Sequence, residues 1–436
     1  MKFKSVLEQS SPVDFREALC SGIAPDGSLY VPELLPSLSV EFISSLPEKS
    51  FQEIVVKTLS LFLEEMPGEA LERIVRQSLT FPIPLVRLEE HLFLLELFRG
   101  PTLAFKDVGA RFMAQALSYY LGQEERETTI LVATSGDTGS AVAHGFFNVS
   151  HITVYVLYPS GKISRLQEQQ MTTLGGNIRA IEVEGTFDDC QKLVKQSLAD
   201  RELVNARNLT TANSINIGRL LPQITYYVWA MAQWQKQFKQ NDEKPVVVVP
   251  SGNFGNLTAA VYAKWIGTPI KGFLAATNAN DVVPEYFQAG VFTPRSSVQT
   301  YSNAMDVGNP SNLARLQALY RFDVQKMKND IQAISITDTQ TLEEIKRTYE
   351  RTGHVIDPHT AVGVAAARAM NIKAPTIIAS TAHPAKFQEV IQLALGKEVP
   401  LPVQLQEALD KQKLSVKIPA DFTVWRKALL ADATTR

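Results

Sequence analysis

Over residues 1–80 the apolar positions recur near helical spacing. Ile54, Val55, Leu59, Phe62 and Leu63 mark one face of a predicted helix, which Met66-Pro67-Gly68 stops. A second helix is predicted from about Glu69 to Gln77. Upstream, the turn-rich stretch Gly22-Ile23-Ala24-Pro25-Asp26-Gly27 leads into the short apolar run Leu29-Tyr30-Val31, ended by Pro32. From about residue 90 short apolar runs alternate with amphipathic stretches. They read as strand Ile130–Ala133, helix Ser140–His144, strand Ile152–Leu157, helix Leu166–Leu174, strand Ile178–Val183 and helix Phe187–Leu198. A long helix over Ile217–Phe238 and a polar break at Asn241-Asp242-Glu243-Lys244-Pro245 come next. Val246-Val247-Val248-Val249 is then the strongest strand signal, followed by a glycine loop and a helix opening at Leu257. This β-α-β-α rhythm predicts an α/β protein with largely parallel sheets covered by helices. Two strand–glycine loop–helix units in separate segments predict two lobes, with ligands beyond the carboxyl ends of the strands.

Charge and composition narrow the function classes. Of 436 residues, 43 are Lys or Arg and 45 Asp or Glu, a formal net charge of −2. That balance excludes a nucleic-acid grip based on overall basicity, yet leaves room for a local basic pocket around a small anion. Two cysteines, Cys20 and Cys190, can build neither a disulfide framework nor a Cys-x-x-Cys metal site, so a reducing compartment is expected. No stretch approaches the ~18 apolar residues of a membrane helix. The N-terminus lacks the apolar core of a signal peptide, so the cytoplasm is the expected location. The histidines show no metal-ligand spacing, and no metal is expected.

Four segments carry candidate chemistry. Gly252-Asn253-Phe254-Gly255-Asn256 lies between strand and helix, where backbone N–H groups and a helix N-terminus form an anion cradle. Having no Lys or Arg, the loop would hold a phosphate through backbone donors; the plain alternative is a tight turn. Ser135-Gly136-Asp137-Thr138-Gly139 has the same placement and could hold a carboxylate or a cofactor oxygen, or simply cap a helix. Lys106 follows a Gly-Pro break at the expected start of a helix; it is either a snorkelling surface lysine or, if desolvated, a Schiff-base lysine. Thr381, after the apolar run Thr376–Ala379, could meet a ring nitrogen or cap the next helix. The dinucleotide fingerprint, the P-loop and the nucleophile elbow are all missing.

Read together, these segments resemble threonine synthases. The resemblance is carried by Glu96–Ala114 (ELFRGPTLAFKDVGARFMA), TSGDTG at 134–139, NSIN at 213–216, VPSGNFGN at 249–256, SNAMDVGNPSN at 302–312 and TAHPAKF at 381–387. Ala24–Pro32 resembles that family's leading domain. The motifs come in the family's order and cover nearly the whole chain.

The resemblance implies a two-lobed fold of the tryptophan-synthase β type that uses pyridoxal phosphate. It divides the chain into an N-terminal domain over 1–80, a first α/β lobe over 81–215 and a second over 216–436. Lys106 would carry the cofactor as a Schiff base and move protons between substrate carbons. Gly252, Asn253, Phe254, Gly255 and Asn256 would bind its phosphate, Thr381 would face the pyridine nitrogen, and Asp137 would lie near the ring oxygen. Ser135 to Thr138 would hold the substrate carboxylate. Lys162, Arg165, Ser214, Asn216 and Arg219 are candidates for a second anion site. The implied reaction turns O-phospho-L-homoserine and water into L-threonine and phosphate. Rival readings are a lyase or dehydratase of the same fold that releases a 2-oxo acid, and a non-catalytic binding protein, which an intact Lys106 disfavours.

Overall fold

The four valines at 246–249 form a strand because β-branched side chains suit a pleated surface that is covered on both faces. Val247, Val248 and Val249 are buried, and the strand is central in its sheet. The computed structural model describes residues 1–123, 127–238 and 243–431; Asn241 and Asp242 of the expected polar break lie outside the described residues. In chain order the strands are β1 (Phe3–Ser5), β2 (Tyr30–Pro32), β3 (Leu85–Arg87), β4 (Leu92–Glu96), β5 (Thr128–Ala133), β6 (Ile152–Pro159), β7 (Ile178–Glu184), β8 (Leu209–Thr211), β9 (Val246–Pro250), β10 (Gly272–Thr277), β11 (Ile331–Ser335), β12 (Thr376–Ser380) and β13 (Ser415–Pro419).

One sheet has the order β11-β10-β9-β12-β4-β3 and the other β13-β7-β6-β5-β8. All pairings within them are parallel except β3 with β4. The expectation of largely parallel, helix-covered sheets thus matches the architecture. The division at residues 81 and 216 does not follow the sheets. β3 and β4, inside the expected first lobe, pair in the sheet of the second, and β13, near the C-terminus, returns to edge the first. Local periodicity identifies a strand but not its partner, which is set by register against distant segments.

The N-terminal unit combines an antiparallel β1–β2 pair with short helices. Its helix Phe51–Ser60 starts at a Ser50/Glu53 capping box and ends before Met66-Pro67-Gly68; Phe62 and Leu63 are buried in the turn beyond it. The next helix, Gly68–Ser78, opens directly after Pro67. Phe15 packs its ring 6.3 Å from that of Tyr120 on the helix Lys106–Gly122, joining this unit to the core beneath both sheets.

Candidate active site

Lys106 is placed by a seam between two chain segments that leave adjacent strands. Beyond β4 and β12, the N–H of Leu97 donates to the Ser380 carbonyl, that of Phe105 to Thr381 and that of His383 to Leu103, at 2.9, 2.9 and 3.1 Å. Lys106 then opens the helix Lys106–Gly122, whose first turn is held by Asp107. Both carboxylate oxygens of Asp107 accept from Thr102, one from its N–H at 2.8 Å and one from its hydroxyl at 2.7 Å. The position before Pro101 must be glycine here: a Cβ on Gly100 would lie 2.4 Å from Asp107 Oδ2. Burial pushes the Lys106 ammonium down from 10.5 to about 8; the Asp137 carboxylate opposes this, and Lys386 and Arg219 add to it.

Asp137 opens the helix after β5, following Gly136, whose φ of 135° only glycine adopts easily. The Thr134 hydroxyl accepts from the N–H groups of Gly136 and Gly139 and fixes this turn. Asp137 Oδ1 receives Lys386 Nζ at 2.6 Å and Gln167 Nε2 at 3.0 Å, while Oδ2 lies 4.0 Å from Lys106 Nζ. Burial works against its charge, but Lys386 and then Lys106 hold the carboxyl well below the usual range.

The loop after β9 faces these groups. Phe254, in the left-handed region at φ 62°, precedes the helix Gly255–Trp265, which has no side-chain cap and no acidic residue in its first turn. Its leading N–H groups are therefore open to an anion. Asn256 Oδ1 accepts from the hydroxyls of Tyr226 and Tyr227, at 2.5 and 2.6 Å; its Nδ2, buried, has no partner among the described residues. Asn253 Nδ2 donates to Ser214 Oγ, and its Oδ1 accepts from the Ser311 N–H at 2.6 Å.

A cavity of about 630 Å³ brings these loops together. Of the residues singled out in sequence, Lys106, Ser135, Asp137, Thr138, Ser214, Arg219, Gly252, Asn253, Phe254, Gly255, Asn256 and Thr381 all line it. Two do not. Asn216 is a buried cap: its Oδ1 accepts from the Gly218 N–H, and its Nδ2 donates to the carbonyls of Leu19 and Thr211, tying the N-terminal unit to the lobe. Lys162 stands exposed in the turn after β6, outside the cavity lining, and Arg165 is likewise exposed. A basic residue after a Gly-containing turn is solvated there, not recruited.

Arg219 is buried, and its Nε has no hydrogen-bond partner among the described residues. Burial brings its guanidinium down to about 10 against the pull of Asp107. Residues without an expected role also belong to the site. Lys386 is buried behind Asp137, and His359 lines the cavity with its Nδ1 2.7 Å from Asp357 Oδ1 and its Nε2 accepting from the Ala304 N–H at 3.2 Å. Lys386 had one sequence signal, its position inside the TAHPAKF motif between apolar neighbours.

Comparison with known proteins gives this arrangement its class. Residues 77–380 match the family model of pyridoxal-phosphate dependent enzymes, and the protein is an enzyme that uses this cofactor. The flanking segments narrow the class: residues 2–79 match the model for the threonine synthase N terminus and residues 360–428 that for the threonine synthase C-terminal region. The threonine synthase of Escherichia coli (strain K12) is 43% identical over 432 residues, covering 99% of each chain. The crystal structure of threonine synthase from Escherichia coli superposes with a TM-score of 0.92 at 42% identity, covering 99% of this chain and 100% of that one. The pyridoxal-phosphate-bound threonine synthase from Brucella melitensis gives 0.93 at 33% identity, covering 100% of both. The chain belongs to the threonine synthase family. Its own residues fit the cofactor: the Asn256 amide nitrogen, without a partner among the described residues, and open helix N–H groups share one cavity with a half-buried lysine.

Proposed function

We propose that this cavity converts O-phospho-L-homoserine and water to L-threonine and phosphate, with Lys106 as the cofactor lysine. One observation carries the reading: a half-buried lysine of lowered pKa shares its cavity with a donor loop that no side chain caps. Bound there, pyridoxal phosphate supplies the electron sink that acidifies the Cα and then the Cβ protons of an amino-acid substrate. Gly252 to Asn256 would take its phosphate, Thr381 the pyridine nitrogen and Asp137 the ring-oxygen side. Thr381 is a neutral hydroxyl, so it does not enforce ring protonation as a carboxylate would. Ser135 and Thr138 offer hydroxyls to the substrate carboxylate. Ser214 and Arg219 are suited to the substrate phosphate, Arg219 because its Nε is an unengaged buried donor. Lys106 is the base for the Cα proton, since an amine with a pKa of about 8 is neutral in useful amount near neutral pH. Its two cysteines, Cys20 and Cys190, far apart in sequence, suit a cytoplasmic setting.

Turnover of O-phospho-L-homoserine by the wild type and Lys106→Ala, with phosphate and the organic product both identified, tests this. The wild type should release threonine and phosphate in equal amounts, and Lys106→Ala neither. Release of 2-oxobutyrate by the wild type would assign the site to the rival lyase class.

A further inference from the structure

Three charged groups meet at the cavity wall: Lys106, half-buried, and Asp137, buried, line it, and the third is buried behind them. The third, Lys386, comes from the short 3-10 turn Pro384–Phe387 and is 1% exposed. Its ammonium donates to Asp137 Oδ1 at 2.6 Å and to the Thr102 carbonyl at 2.8 Å. Gln167 Nε2 adds a second hold on the same carboxylate, at 3.0 Å. Oδ1 of Asp137 is therefore taken by Lys386 and Gln167, and the carboxylate approaches Lys106 no closer than 4.0 Å, through Oδ2.

We propose that Lys386 is a positioning residue that keeps the Lys106 amine available, by claiming the carboxylate that would otherwise close onto it. The physical argument has two parts of the same sign. A buried carboxylate with one cationic neighbour forms a tight pair and holds that neighbour protonated. Lys386 removes this by competing for Asp137, and its own charge repels a proton from Lys106. The other charged groups facing Lys106 are Arg219, from the helix Ile217–Gln237, and Asp107, from its own helix; Asp306 and His359 lie further along the cavity. Arg219 acts in the same direction as Lys386. Asp107 is occupied by Thr102 and balances Arg219. Lys386 has a second hold on the site. The Thr102 carbonyl that it grips belongs to the residue that caps Asp107, so the same ammonium fixes the loop from which Lys106 emerges.

Capture of an aldehyde forms a C=N bond and releases one water; the ammonium must first give a proton to solvent. The pH dependence of cofactor capture by the full chain, freed of cofactor with hydroxylamine, therefore reports the Lys106 proton directly. Binding of pyridoxal phosphate is followed by visible absorbance. In Lys386→Met the midpoint should move up by about one pH unit, which slows capture near pH 7 about tenfold. Lys386→Arg should restore it. Asp137→Asn, which leaves Lys386 in place, should move the midpoint down, and this arm stands even if Lys386→Met does not fold. Unmoved midpoints in the folded variants overturn the proposal. The inference rests on Lys106 being the cofactor lysine, and Lys106→Ala separates the two claims. If Lys106→Ala still captures the aldehyde, that assignment fails; if it does not, and the other variants keep the wild-type midpoint, only the role of Lys386 fails.

Discussion

Arg219 is the residue whose environment most directly states a task. A guanidinium that is buried beside a cavity, with one ring of donors held by the Ala212 carbonyl and its Nε unengaged, is prepared for an anion that arrives later. Ser214 and Lys106 line the same cavity, and Asp107 is the carboxylate whose charge pulls on the guanidinium. Arg219→Ala should raise the KM for O-phospho-L-homoserine by about tenfold or more, the scale of a lost charge-assisted bond. Cofactor capture should change much less than KM, and only through the loss of one cation that lowers the Lys106 proton affinity. Steady-state kinetics beside a pyridoxal phosphate titration make the comparison, and an unchanged KM removes Arg219 from the substrate site. The same reasoning separates Arg219 from Asn216 only three residues earlier. Both sit in the motif NSIN and its flank, and the sequence gives both polar character. Asn216 spends its amide on Leu19 and Thr211, which no local pattern reveals.

Among the elements, the loop after β9 shows how closely backbone can be packed at a binding site. Gly252 is not in the left-handed region; it is glycine because a Cβ would lie 2.6 Å from Met305 Cα, backbone against backbone. Gly255 is different, since its Cβ would meet the Asn312 side chain at 3.4 Å, an ordinary contact. Gly252→Ala should therefore displace the loop and weaken cofactor binding, by about 1–3 kcal/mol on the scale of overpacked sites. Gly255→Ala should weaken it far less. Equal dissociation constants for the two variants, measured by fluorescence or absorbance titration, refute this account. The loop itself was readable in sequence, because a strand with both faces covered is a near-continuous apolar run and the glycines follow it at once. β5, β6 and β9 were legible for that reason, and β7 through apolar residues interleaved with Arg179 and Glu182. β13 was not: much of Ser415–Pro419 is exposed, and its apolar positions are sparse. Lys386 and His359 escaped because burial of a polar side chain is decided by what the distant chain packs over it. The Lys386 ammonium meets Asp137, almost 250 positions upstream.

For the molecule as a whole, the C-terminal segment closes what the middle of the chain begins. β13 edges β7, and Trp425 of the helix Phe422–Ala431 is fully buried, its Nε1 donating to Ser197 Oγ at 2.9 Å. A chain ending at residue 410 keeps every residue assigned to the cavity, yet it should lose cooperative thermal unfolding and aggregate through the bared β7 edge. A melting curve matching that of the full chain would refute this. Arg315 ties the N-terminal unit in comparable fashion, with donors to the carbonyls of Tyr30, Ser214 and Ile215. The insertion of β12 between β9 and β4 has a further consequence, for biosynthesis. Lys106 leaves the ribosome well before the strand that must separate and align its neighbours, about a quarter of a minute to a minute earlier at roughly 5–20 residues per second. The nascent polypeptide thus carries its reactive amine through most of translation without the pocket that would use it. Vitamin capture becomes an event of the released, finished chain.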